Sequence, residues 1–169
     1  MRKRTLLALG LGAVLPLSLA APASADVADG TRLKGGGPFC AFTLVIRDVL
    51  NQRQEATAVL RDGSKVVTTT GTLLQSLENL GTHEKIVVDV SGSTTVTTSP
   101  DGTAQRFVGD DRNLLIFGPN GQRNTGEPPV VLTDGHVIVT AAIDPVSGVG
   151  TAQRFSLGGD QVDVCKLLS

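Results

Sequence analysis

From residue 40 onward, apolar residues of this chain recur at every second position. Cys40, Phe42, Leu44 and Ile46 alternate with Ala41, Thr43, Val45 and Arg47. Ile86, Val88 and Val90 alternate with Lys85, Val87 and Asp89, and Val137, Val139 and Ala141 with His136, Ile138 and Thr140. Successive side chains of an extended backbone point to opposite faces, so this period gives a strand one face for a core and one for solvent. A helix, with its period of about 3.6, cannot segregate the same pattern. Valine and threonine recur in the runs, and both suit a pleated surface.

Turn residues punctuate the runs. Asp62-Gly63, Asp101-Gly102 and Asp134-Gly135 each stand between two of them. Such a pair accepts positive φ at little cost, which predicts a tight hairpin at each place. Asn120-Gly121 and Gly158-Gly159-Asp160 mark further turns. Together these signals predict an all-β domain, an antiparallel meander of roughly ten strands joined mostly as hairpins. Residues 72–81 read two ways. Leu73, Leu74, Leu77 and Leu80 have helical spacing with Gly81 as a C-cap, but the flanks are strands. We expect a strand there, with a turn at Asn79-Leu80-Gly81-Thr82.

The N-terminus has a different texture. Met1-Arg2-Lys3-Arg4 is a basic start, an apolar run follows to Ala20, and Ala23-Ser24-Ala25 is the small-x-small pattern of a cleavage site. Residues 1–25 therefore read as a secretory signal peptide, and the protein as secreted. A retained anchor is the alternative, but the run is short, and no second apolar stretch of ~20 residues offers a membrane span. Residues 26–39, with Gly30, Gly35, Gly36, Gly37 and Pro38, read as a flexible arm. Residues 40–169 remain as a single β domain. Of the chain's 15 Lys and Arg, Arg2, Lys3 and Arg4 lie in the leader; against 16 Asp and Glu the domain carries about four net negative charges. That balance argues against a nucleic-acid partner.

Cys40 and Cys165 are the only cysteines. In an oxidising compartment two cysteines predict one disulfide, the alternative being two buried thiols. We expect Cys40 to open the first strand and Cys165 to lie in the last. A bond between them needs Cα atoms within ~7 Å. First and last strands meet in a closed β-barrel, the expected architecture, with a β-sandwich as the alternative.

Gly102-Thr103-Ala104-Gln105-Arg106-Phe107 recurs as Gly150-Thr151-Ala152-Gln153-Arg154-Phe155. One reading is a duplicated binding element with Arg106 and Arg154 as paired contacts. The simpler one is two equivalent strands with Phe inward and Gln and Arg at the surface, and a solenoid is not supported. The remaining polar candidates are His83, His136, Asp110 and Asp111. Two histidines beside turns fall short of a zinc site's ligand set, and Asp110-Asp111 lacks the spacing of a calcium loop. No Gly-x-Ser-x-Gly element is present. No catalytic, metal or cofactor set is therefore assigned. With no Trp, no Tyr and five Phe, the chain has few aromatics for a sugar or single-stranded nucleic-acid platform.

Several short motifs carry a resemblance: the alanine-rich leader, Cys40-Ala41-Phe42, Thr70-Gly71, Glu78-Asn79-Leu80-Gly81-Thr82, Val90-Ser91-Gly92, Asp101-Gly102 and Phe117-Gly118-Pro119. Together they resemble a group of small secreted β-rich proteins of actinomycete-type bacteria that carry no assigned activity. The likeness spans about 40–165 and, being made mostly of turns, implies a fold and no catalytic residues. The barrel outline is also similar to allene-oxide-cyclase or dirigent-like barrels, without a shared residue motif. Three functions follow as expectations. The first is a secreted non-catalytic domain that binds a small apolar ligand or a protein partner. The second is a hydrolase or isomerase using Asp110, Asp111, His83 or His136. The third is a surface or matrix structural protein held by assembly.

Overall fold

The computed structural model describes residues 30–117, 126–146 and 150–169. Residues 1–25, expected to be a signal peptide, the first residues of the Gly-rich arm, Asn120-Gly121 and Ser147-Gly148 lie outside them. Thirteen strands and one short helix are described. They are β1 (Thr31–Leu33), β2 (Leu44–Asn51), β3 (Gln54–Val59), β4 (Lys65–Thr70), β5 (Leu73–Asn79), β6 (Lys85–Asp89) and β7 (Thr94–Thr98). There follow β8 (Ala104–Gly109), β9 (Arg112–Ile116), β10 (Val130–Asp134), β11 (Val137–Ile143), β12 (Gly150–Leu157), β13 (Asp160–Asp163) and α1 (Val164–Leu167). The fold is all-β, every pairing is antiparallel, and residues 73–79 form a strand as expected.

The strands form three sheets: a six-stranded one in the order β12-β11-β8-β7-β4-β3, a four-stranded one, β1-β2-β5-β6, and a three-stranded one, β13-β10-β9. The order hides a simple plan. β2 runs into β3, β4 into β5, β6 into β7, β8 into β9, β10 into β11 and β12 into β13, each through two to four residues. In every case one half lies in the six-stranded sheet and the other in a smaller sheet. The chain is thus a meander of six long strands, each with a corner in its middle. On one side of the corner all six stay paired. On the other they part between β6 and β9 into the two smaller sheets.

The structure departs from the expectations at several points. Asp134-Gly135 is not a hairpin turn: β10 pairs with β9 and β13, and β11 with β8 and β12. The pair forms a corner instead, because the backbone freedom that suits a hairpin also permits a sharp change of strand direction. Nor does any sheet close on itself, so the closed barrel is not what the described strands form; the small sheets layer on each other like a sandwich. The arm is partly ordered as well. Thr31–Leu33 pair with β2, and Leu33 is buried.

Two apolar cores follow from the period-two pattern. Leu33, Leu44, Ile46, Leu73, Leu77 and Val88 of the four-stranded sheet pack with Val130 of β10, Val164 of α1 and Leu168, and with half-buried Leu114 and Leu132. Their alternate neighbours Leu115 and Val131 join Phe117 and Val137 in the second core, against Phe107, Val139, Phe155 and Leu157 of the large sheet. Sheet β13-β10-β9 is therefore covered on both faces, which explains why Leu114-Leu115-Ile116-Phe117 and Val130-Val131-Leu132 read as unbroken apolar runs.

Cys40 and Cys165 are bonded, with Cα atoms 5.3 Å apart and a sequence separation of 125. Neither lies in a strand: Cys40 sits between β1 and β2, and Cys165 in α1. The bond ties the outer end of the four-stranded sheet to the outer end of the three-stranded one. Beside it, buried Asn79 Nδ2 donates to the Leu168 carbonyl at 2.8 Å. At the opposite ends, where β6 and β9 part, the Gly92 and Asp110 amides donate to the Arg112 and Ser93 carbonyls, each at 2.9 Å. Among the described residues no helix is long and apolar enough to cross a membrane.

Candidate functional site

The corner gathers polar residues because strand pairing is interrupted there and the freed backbone groups need partners. Asn113 Nδ2 donates to the carbonyls of Asp110 (3.2 Å) and Asp111 (3.4 Å), and the Gly135 amide to the Asp111 carbonyl (2.9 Å). Asp111 takes a positive φ of 61°. On the neighbouring strand His136 Nδ1 lies 2.6 Å from Asp110 Oδ1, both side chains more than half exposed. His83 is elsewhere, on the β5–β6 turn, 3.5 Å from Glu78. Of the four acid–base candidates the fold thus joins His136 with Asp110, leaves Asp111 beside them at the corner, and keeps His83 apart. Among the described residues no hydroxyl or thiol is hydrogen-bonded to the His136 ring, so the contact is an exposed imidazole–carboxylate hydrogen bond without a nucleophile attached.

Arg106 and Arg154 flank one residue. Both stand opposite Thr140 of β11, one on β8 and one on β12. Phe107 and Phe155 likewise flank Val139, and both pack on the second core, where Phe155 meets Phe117 edge to face at 4.9 Å. The repeat is therefore a pair of equivalent strands on either side of β11. Its arginines stand exposed on the face away from the phenylalanines, two strand spacings or ~10 Å apart.

A concave site lies where the two small sheets part. This cleft of about 370 Å³ is lined by Val87, Val88 and Asp89 of β6, Arg112 of β9, Leu132, Thr133 and Asp134 of β10, and Asp160 and Val162 of β13. Register explains the lining. Leu114, Leu132 and Val162 stand in one cross-strand row, and Arg112, Asp134 and Asp160 in the row beside it on the same face. An apolar floor continuous with the first core thus meets a charged rim.

The rim holds three carboxylates and one guanidinium. Arg112 Nε lies 3.2 Å from Asp134 Oδ2, and its Nη1 3.6 Å from Asp89 Oδ2. Asp160 faces Asp134 across the β10–β13 ladder and has no ion-pair partner among the described residues. Like charges directly opposite destabilise a sheet, so the row is short of positive charge. The Ser91 hydroxyl (2.5 Å) and amide (3.0 Å) donate to Asp89 Oδ1 and, with Arg112 nearby, hold its carboxyl below the usual range. Asp89 therefore stays ionised to lower pH than an ordinary aspartate. Among the described residues no three His, Cys, Asp or Glu side chains are grouped to hold a metal ion.

Sequence reading missed this site. Asp89, Asp134 and Asp160 each sit at a strand end beside a turn, and there they read as turn residues. The available signal was the aspartate that closes both Val87-Val88-Asp89 and Val131-Leu132-Thr133-Asp134. No family model matches the chain, and neither a curated protein nor a solved structure does.

Proposed function

We propose that the chain is a secreted, non-catalytic binding domain, and that its ligand is a small molecule with an apolar body and a cationic group, held in the cleft between β6 and β9-β10-β13. The carrying observation is the pairing of rows at that cleft: Leu132 and Val162 beside Arg112, Asp134 and Asp160. The volume falls at the lower end of the small-ligand range of roughly 300–1,000 Å³. An apolar floor supplies affinity through burial, and the unbalanced carboxylates supply orientation and charge preference. Export rests on the leader in residues 1–25 and agrees with the disulfide. In this reading the two small sheets act as a flattened, barrel-like shell stapled at one side by sulfur and parted at the other. The ligand enters at the parting, not down a barrel mouth.

The test is a titration of the ¹⁵N-labelled protein with hexylamine, hexanoate and hexanol, following backbone amide shifts. Hexylamine should move the amides of residues 87–89, 132–134 and 160–162, and hexanoate should not. Asp160→Asn should weaken the hexylamine response several-fold. If those amides ignore all three probes, the assignment of the cleft is wrong; if hexanoate acts as strongly as hexylamine, the charge preference is.

A further inference from the structure

The six-stranded sheet ends on β3, and that edge is unguarded. All six residues of Gln54–Val59 are exposed, as is Leu60 beyond them, with Val59 at 71%. Proteins blunt open edges with Lys, Pro, bulges or very short strands. Here Glu55 is the one charged residue of β3, the others being Gln54, Ala56, Thr57, Ala58 and Val59, and the β3–β4 register runs without a bulge. Other edges are better protected: β1 has three residues, β13 begins and ends on Asp, and β12 carries Arg154 beside a bulge in its pairing with β11.

The ladder shows which backbone groups are free. Leu60 donates its amide to the Ser64 carbonyl at 2.9 Å, so Leu60 and Ser64 form a hydrogen-bonded pair. Bonded and non-bonded pairs alternate in an antiparallel ladder, so Ala58 and Ala56 also bond to β4. Glu55, Thr57 and Val59 then direct their amides and carbonyls outward, where no described residue meets them.

We propose that two copies of this chain join edge to edge through β3, antiparallel about a two-fold axis at Ala58. Opposed residues of an antiparallel pair share a face, so such a dimer must set one residue against its own copy. Centring on Thr57 sets Glu55 against Val59 twice and brings Arg53, just before β3, toward Arg61 in the turn of the second copy. Centring on Ala56 sets Glu55 against Thr57 and Arg53 against Val59. Centring on Ala58 sets Thr57 against Val59 twice and Ala56 against Leu60, and it places Glu55 beside the β3–β4 turn of the second copy, which carries Arg61. This register brings opposite charges near each other at both ends and covers Val59 and Leu60. Its bonded pairs are Thr57 with Val59, the residues whose backbone groups point outward. The joined sheets form one continuous sheet of twelve strands, twice the six of one copy.

Sedimentation equilibrium of the exported, disulfide-bonded protein tests it. The protein should dimerise at micromolar concentration. Glu55→Arg or Arg61→Glu alone should raise the dimer dissociation constant about tenfold, because each places like charges together twice. The double variant E55R/R61E should restore it. Thr57→Pro removes an amide that β4 does not use, so it should abolish the dimer while circular dichroism and Tm stay near those of the parent protein. A monomer at every concentration up to about 1 mM, or a dimer indifferent to Thr57→Pro, overturns the proposal. Failure of the double variant to restore pairing overturns the Ala58 register.

Discussion

Asn79 makes three hydrogen bonds with one side chain. Its Nδ2 holds the Leu168 carbonyl, and its Oδ1 accepts the amides of Gly81 (2.9 Å) and Thr82 (3.4 Å), so it both shapes the β5–β6 turn and anchors the C-terminus. The sequence marked Asn79 as a turn residue; its tie to Leu168 depends on a contact that only folding creates. Asn79→Ala should cost about 1–3 kcal/mol, read from urea unfolding as a lower midpoint at unchanged slope, because it leaves a buried carbonyl without a donor. Carboxylates at this scale also set the pH response. Asp62 and Asp101 are held below their ordinary range by hydrogen bonds from Ser64 and Ser99, Asp89 by Ser91, and Glu78 by Arg47. A carboxylate with a lowered folded pKa contributes stability that is complete above its unfolded value and lost as pH falls through the folded one. Thermal unfolding should thus be insensitive to these groups above about pH 5 and turn downward below about pH 4. Ser91→Ala should raise the Asp89 titration midpoint in carboxyl-detected NMR.

At the scale of the element, the corners matter more than the strands. Alternation made several strands legible, but it continues across a corner and does not reveal it. Gly159 has a φ of 79°, and a Cβ there would collide with the Asp134 backbone. Gly102 has a similar φ of 74° in the β7–β8 turn, with open space around it. The two positions separate backbone strain from crowding. Gly102→Ala should cost about 1–2 kcal/mol, the ordinary left-handed penalty. Gly159→Ala should cost clearly more, because β13 must shift away from β10, and Asp160 and Val162 would leave the cleft with it. Chemical denaturation compares the stabilities, and amide shifts of residues 160–163 report the displacement.

For the whole molecule, the decisive feature is how the two small sheets are held. At one side two backbone hydrogen bonds at the Gly92–Arg112 and Asp110–Ser93 seam join them. At the other the Cys40–Cys165 bond does. A disulfide closing so long a loop lowers the entropy of the unfolded chain by an amount equivalent to about 5 kcal/mol. Cys40→Ser with Cys165→Ser should therefore lower stability by several kcal/mol. Since the second core contains neither cysteine, exchange protection should fall first in β1, β2 and α1 and last in β8, β11 and β12. Native-state hydrogen exchange measures that order; uniform loss across the sheets would show that the two cores unfold as one.

Residues 73–79, whose leucines have helical spacing, read as a strand from their flanks alone. Alternation and turn chemistry, both local, determined that this chain is all-β and antiparallel and that Phe107 and Phe155 are equivalent. They could not say whether Asp134-Gly135 reverses the chain or merely bends it, since the same backbone freedom serves both. Only tertiary packing decided that the long strands fold at a common corner and part between β6 and β9. That parting brings Asp89 across to Arg112, Asp134 and Asp160, and such a grouping depends on inter-strand register and sheet layering, which no local stretch of sequence encodes.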